Sequence, residues 1–285
     1  MNYDYLIHIG ILTAIYMINA FSFNLSLGYT GLINLGQMAL FGFGAYASAL
    51  LTRLLGMNVW VAMFIAGLMT MVLGMVLALP ALRLKKDYLA LVMLGLSFIL
   101  YALSKNWISL TRGSLGLPGT VKLFKSNLNF LIAAILIAII TYVVLKKIVN
   151  SKLGLVFQAI RDDELSAAVL GKDIFISKAI ALGISAFFAG VAGSLLAHYL
   201  TFIDPSIFDL SQLVILLSML IVGGLASLEG TALGVLAIVL ITEPLRFIGF
   251  SPVLLGPMRE IIYAALLLII LIYRPRGLLG KVDID

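Results

Sequence analysis

Few candidates for chemistry lie within or beside the long apolar runs of this chain, and most of those are amides. Asn19, Asn24, Asn34, Gln37, Glu229 and Glu243 fall within or beside long apolar runs. A polar side chain is costly there, which makes each a suspect for function. Asn34 and Gln37 flank Gly36 where a helix opens, and the first backbone N–H groups of a helix have no intrahelical acceptor. Such an opening can face a carboxylate or another anion. Equally, the amides can simply satisfy backbone groups freed by the break. Together with Gly42, Gly223 and Gly224, the residues Asn34, Gly36 and Gln37 form the candidate substrate pathway. Catalytic signatures are missing. There is no Gly-x-x-x-x-Gly-Lys-Ser/Thr loop to cradle nucleotide phosphates and no His-Glu-x-x-His. Cysteine is absent, and the two histidines, His8 and His198, stand far apart, so neither a cofactor nor a metal is expected.

The elements that must position these residues follow from composition. The 285 residues are 62% hydrophobic and 11% charged, against roughly 45–50% and roughly 25% in soluble domains. No soluble fold of this length hides so much apolar surface, but lipid can replace the core. Runs near the ~20 residues needed to cross a bilayer fall at 5–27, 34–55, 59–82, 88–110, 128–149, 175–200, 210–227, 230–248 and 254–273. The fold class is therefore an all-α, polytopic membrane protein, a bundle of about nine transmembrane helices in one domain spanning 1–285. The N-terminus lacks the basic region of a cleaved signal, so the first span is expected to stay. Glycine interrupts the pattern twice, at Gly28–Gly31 and at Gly223–Gly224. The helices that follow open alike, Gly36-Gln-Met-Ala-Leu and Gly230-Thr-Ala-Leu. Broken helices in both halves accompany internal repeats in transporters and point toward the transport path. The plainer reading is that these glycines let helices pack closely.

Basic residues orient the chain. Arg83, Lys85, Lys86, Lys146, Lys147, Lys152, Arg161, Lys172, Arg274, Arg276 and Lys281 gather on one side. The other side holds Arg53, Lys105, Arg112, Lys122, Lys125, Arg246 and Arg259. The excess places the C-terminus in the cytoplasm and, with an odd number of spans, the N-terminus outside. On the cytoplasmic side, the loop 150–174 carries an amphipathic helix over 153–170. Its apolar stripe includes Phe157, Ile160 and Leu165, and its opposite face carries Arg161, Asp162, Asp163 and Glu164. A helix lying on anionic lipid favours a basic polar face. The acids here favour presentation to a partner protein instead. Within 175–200, Ala181, Ser185, Ala189, Gly193 and Ala197 recur every four residues, beside Ala186, Gly190 and Ser194. Small residues so spaced let a second helix backbone approach closely. His198 closes that row and reads as a hydrogen-bonded interface residue rather than a proton relay. No run of four basic residues exists, so no nucleic-acid partner is expected.

Several of these segments together resemble a known family. The run Gly28-Tyr-Thr-Gly-Leu-Ile-Asn-Leu-Gly-Gln-Met-Ala-Leu-Phe-Gly-Phe-Gly-Ala-Tyr46 is similar to the signature of branched-chain amino acid ABC transporter permeases. So are Thr111-Arg-Gly-Ser-Leu-Gly-Leu117, the loop Gly154–Gly171, the segment Gly223–Gly234 and the tail Arg274-Pro-Arg-Gly-Leu-Leu-Gly280. Their order along the chain matches too, and the Thr111 segment with the Arg-Pro-Arg-Gly-Leu tail looks like the LivM-type subunit. The resemblance implies an importer subunit of the inner membrane. A second, related permease would complete the pore as a heterodimer, two cytoplasmic ATPases would drive it, and a soluble binding protein would deliver the substrate. The loop 150–174 would then be the ATPase-coupling element. Asn34 stands where the family usually has Ser, and Thr231 where it usually has Pro. A urea or short-amide permease of the same superfamily is the rival within transport, and an intramembrane enzyme is the rival outside it.

Overall fold

In an apolar solvent every backbone N–H and C=O must be satisfied within its own segment, so long apolar runs become helices. The computed structural model describes residues 3–81, 86–242, 252–274 and 276–280. Glu243, Arg83, Lys85, Arg246 and Lys281 lie outside the described residues, as does the end of the expected span 230–248.

The helices are α1 (Tyr3–Asn24), α2 (Gln37–Leu55), α3 (Val59–Ala81), α4 (Lys86–Asn106), the single turn α5 (Ile108–Thr111) and α6 (Asn127–Val149). They continue with α7 (Lys152–Asp162), α8 (Glu164–Val169), α9 (Ile174–Leu200), α10 (Leu210–Gly223), α11 (Leu228–Thr242) and α12 (Pro252–Tyr273). Among the described residues, seven helical stretches are long and apolar enough to cross a membrane. They are α1 with the turn after it, α2, α3, α4, α6, α9, and α10 with the turn before it. Two shorter apolar helices, Leu228–Thr242 and Glu260–Ile270, join them, which gives the expected bundle of about nine. The expected span 88–110 stops at Asn106, and Ile108–Thr111 forms a separate turn.

α9 sits at the centre, packed against α2, α3 and α1. Its glycines make this possible. A Cβ on Gly193 would lie 1.9 Å from the Phe41 carbonyl oxygen of α2, and one on Gly44 would lie 2.3 Å from the Gly190 Cα. On its other side Gly190 meets Thr70 of α3. The backbones of α2 and α9 thus touch, with no side chain between them. α1 packs on α6, α9 and α11, while α10 packs on α11 and α12. The outward faces of α3, α4 and α6 stay apolar and exposed, with Phe64, Val72, Phe98, Ile99, Leu136 and Ile140 among them.

Two ends of the bundle can be told apart. At one end lie the break after α1, the segments α7 and α8, the α10–α11 turn and the C-terminal tail. There the tail residues Leu278 and Leu279 donate backbone hydrogen bonds to Val222 and Gly223 of α10. At the other end, Leu117–Pro118 (β1) pairs antiparallel with Phe202–Ile203 (β2). His198 ties that end together. Its Nε2 lies 2.8 Å from the Ser48 hydroxyl and its Nδ1 lies 2.7 Å from the Val121 carbonyl. A carbonyl can only accept, so Nδ1 donates to Val121, while Nε2 shares a hydrogen bond with the Ser48 hydroxyl.

Candidate functional site

The break after α1 is hydrogen-bonded to two distant segments, the α10–α11 turn and α7. Instead of ending, α1 runs on into one π-helical turn, Leu25–Tyr29. Such turns within α-helices often mark functional sites. The cause is local. Asn24 turns its side chain onto the α10–α11 turn, where its Oδ1 accepts from the Ala226 N–H at 3.0 Å. Its Nδ2 donates to the Ser227 carbonyl at 3.0 Å and to the Thr231 hydroxyl at 2.5 Å. Gly28 is required beside it, since a Cβ there would collide with Asn24 Oδ1 and the Ala226 nitrogen. The two Gly-rich breaks read from the sequence therefore meet through one buried amide. Both end a helix at the same end of the bundle, and both following helices run back through it. α10 and α11 then pack tightly, with Gly223, Gly230 and Gly234 backbone to backbone. Gly224, at φ +107°, has no room for a Cβ against Gly280.

Asn34 and Gln37 belong to a second buried amide cluster. Gln37 Nε2 donates to Asn19 Oδ1 at 3.1 Å and to the Ser22 hydroxyl at 2.9 Å. Gln37 Oε1 accepts from Asn34 Nδ2 at 3.1 Å and from Ser185 at 3.2 Å. Asn34 Oδ1 accepts from the Gly36 N–H, and Ser185 also donates to the Ser22 carbonyl at 2.7 Å. All of these side chains are fully buried. In this packing the cluster is saturated from within and joins α1, α2 and α9. Gly36 and Gly42 are buried in the same region, while Gly223 and Gly224 lie at the other cluster. No hydrogen bond links the two clusters among the described residues, although both hang from α1.

The loop 150–174 departs from the expected single helix. It breaks at Asp163, whose backbone is extended (φ −153°, ψ 109°), to give α7 and α8. The reason is an N-cap. Asp163 accepts from the Leu165 N–H at 2.9 Å, and such a cap starts a new helix. Each acid of the polar face has an intramolecular partner. Asp162 pairs with Arg161 at 2.8 Å, Asp163 also binds the Ser166 hydroxyl, and Glu164 pairs with Lys178 at 2.7 Å. Lys178 sits near the start of α9 with its side chain only 4% exposed. Phe157 and Ile160 are completely buried, and Arg161 donates to the Gly28 carbonyl at 3.2 Å. Gly31 lies against the Arg161 backbone. α7 is thereby seated on the α1 break. Beside exposed Ser166, α8 leaves Leu165 and Val169 outside, 79% and 88% exposed, and the Leu170 that caps it is 74% exposed.

The row Ala181, Ser185, Ala189, Gly193, Ala197 is wholly buried along α9, as are Ala186 and Ser194 beside it. Near the α7 end, Lys146 and Tyr142 of α6 both bind Glu229 of α11, at 2.8 and 2.7 Å. These contacts and those of Asn24 and Arg161 join residues far apart in sequence. Their only advance signal was the presence of a polar group in an apolar run.

A family model described as the permease component of the branched-chain amino acid transport system matches residues 5–271. The chain is 30% identical to the high-affinity branched-chain amino acid transport system permease protein LivM of Escherichia coli (strain K12), over 96% of this chain and 69% of that protein. It is 25% identical to the "Probable branched-chain amino acid transport permease protein LivM" of Methanocaldococcus jannaschii, over 99% and 95%. A LivH permease protein of Salmonella typhimurium is 24% identical over 95% and 92%. No solved structure matches the chain.

Proposed function

Because this chain belongs to the permease component family of the branched-chain amino acid transport system, we propose that it is one of two related permeases forming the membrane pathway of an ABC importer for branched-chain amino acids. Likeness to both LivM and LivH permeases supports a related second subunit. The relatives' names do not favour the urea or short-amide alternative. Two cytoplasmic ATPases supply the energy that this chain has no loop to harvest, and a soluble binding protein delivers the amino acid. The α7 end faces the cytoplasm, following the basic residues, and Tyr3 lies outside.

One observation carries the coupling reading. α7 is buried against the α1 break through Phe157, Ile160 and Arg161, while α8 presents exposed Leu165, Val169 and Leu170. An exposed apolar patch beside a membrane-spanning bundle suits a protein groove. The acids, being engaged within the chain, orient α8 rather than make the contact. When the ATPases close, α8 moves, Arg161 carries the movement to the π turn of α1, and Asn24 passes it to the α10–α11 turn. The bundle then repacks along the glycine faces of α2 and α9. In this reading Asn34, Gly36, Gln37 and Gly42, with Gly223 and Gly224, are the hinges beside the pathway. In a tagged permease expressed with its ATPases, Leu165→Asp combined with Val169→Asp should lose the ATPases, while permease yield and helix content stay unchanged. Asp162→Lys should retain them. Equal ATPase retention by the double variant would place the docking surface elsewhere.

A further inference from the structure

Two cavities lie beside α1, and they differ in chemistry. The larger, about 800 Å³, runs between α1, α6 and α11 and is apolar apart from its Glu229 end. It has almost nothing to orient a charged ligand, and charged groups left in apolar surroundings are penalised heavily. The smaller, about 250 Å³, lies between α1, α10, α11 and α12. It is below the roughly 300–1,000 Å³ of pockets for drug-sized ligands, so it takes one small molecule.

Its walls are polar on one side and apolar on the other. Ser211, Gln212, Glu260 and Tyr263 supply the polar side, and Ile215, Met219 and Val239 are among its apolar residues. The polar groups are held ready. Tyr16 donates to Gln212 Oε1 at 3.1 Å, which fixes the amide and leaves its Nε2 without a partner among the described residues. Tyr263 is only 6% exposed, yet its hydroxyl has no partner among the described residues. Glu260 likewise has no cation paired with it among the described residues. The cavity thus offers one anion, several hydrogen-bond donors and an aliphatic wall within a single small volume.

A ligand matching that set carries an ammonium, a carboxylate and a short aliphatic side chain. We infer that this cavity binds an aliphatic amino acid as its zwitterion. Glu260 takes the ammonium, Gln212 Nε2 with the Ser211 and Tyr263 hydroxyls takes the carboxylate, and the side chain lies on Ile215 and Val239. The site falls at the opposite end of the bundle from α7. From Tyr16 to Gly28 along α1 is about 18 Å at the helical rise. The inference rests on the proposed import reading, which puts this end on the face where substrate arrives. It goes beyond that reading by placing a substrate site inside one permease rather than only between two.

The test uses the complete transporter in proteoliposomes. The chain has no cysteine, so Ser211→Cys introduces a single thiol into it. Its reaction with a small methanethiosulfonate should slow several-fold in saturating L-leucine. 4-Methylpentanoate and isoamylamine, which are leucine without its ammonium and without its carboxylate, should not slow it. A cysteine at exposed Leu115 should react alike with and without leucine. Glu260→Gln in the same background should raise the leucine concentration needed for half protection about tenfold, the effect of losing one ionic contact. If Glu260→Gln lowers the yield, Gln212→Leu makes the same comparison from the carboxylate side. ATP-driven leucine uptake with no protection of the thiol at position 211 overturns the site and leaves the import reading standing. Protection without any uptake supports the site and overturns the import reading.

Discussion

At Gly193 the hydrogen in place of a side chain decides whether two helices meet. A Cβ there would stand 1.9 Å from the Phe41 carbonyl oxygen, a backbone atom that cannot swing aside. Gly193→Ala is therefore expected to destabilise the permease by at least the ~1–3 kcal/mol typical of an overpacked core. Gly95 of α4 has nothing within 4 Å of its would-be Cβ. Gly95→Ala is expected to be neutral or slightly stabilising, since alanine is the better helix former. Thermal unfolding of both variants in the same detergent checks the pair, and equal midpoints would show that α2 and α9 do not touch as described. At the same scale the amides explain each other. In the sequence Asn19, Asn34 and Gln37 read either as functional amides or as partners for freed backbone groups, and in the fold they hydrogen-bond one another. A buried amide left without partners costs about 1–3 kcal/mol, so a saturated cluster holds three helices in one register.

Among the elements, α8 depends most on its charges. Asp163 caps it and Glu164 ties it to Lys178 of α9, so these acids orient a short helix that could not hold itself. Helices shorter than about 12–15 residues are marginal alone in water, and α8 has 6. Glu164→Lys removes the partner of a nearly buried cation and sets a like charge beside it. The expected loss is about 3 kcal/mol, the low end for breaking a buried pair because Glu164 itself is partly exposed. The double exchange Glu164→Lys with Lys178→Glu should recover part of it. Thermal midpoints of the two variants test this, and no loss in the single variant would show that the ion pair is incidental.

Across the whole molecule, the contacts of α7, the C-terminal tail and the α1 break place them at one end, and the β1–β2 pair with His198 marks the other. The proposed orientation assigns the first end to the cytoplasm. In intact cells an impermeant maleimide is expected to label a cysteine at Leu115, which is 75% exposed, and to leave one at Leu165 unlabelled. Inverted vesicles should reverse the result. Labelling of position 165 from outside would turn the molecule over, and with it the direction in which α8 meets any ATPase.

The class of structure was legible from composition, because only lipid can take the place of a core for so apolar a chain. The spans were legible for the same reason, as was the burial of the small-residue row on α9, whose period matches the helix. The amphipathic loop was visible as a stripe, but its break at Asp163 was not, because helical periodicity carries across a cap. Nor was it visible which side of that loop remains outside. The acids looked free until Arg161, Ser166 and Lys178 were brought to them, and the exposed leucines looked like a buried face. The partners of Asn24 and Arg161, and the gathering of residues around the small cavity, came only with the fold. Periodicity reports a residue's relation to its own helix axis, whereas partners more than a hundred positions away are chosen by how the helices pack.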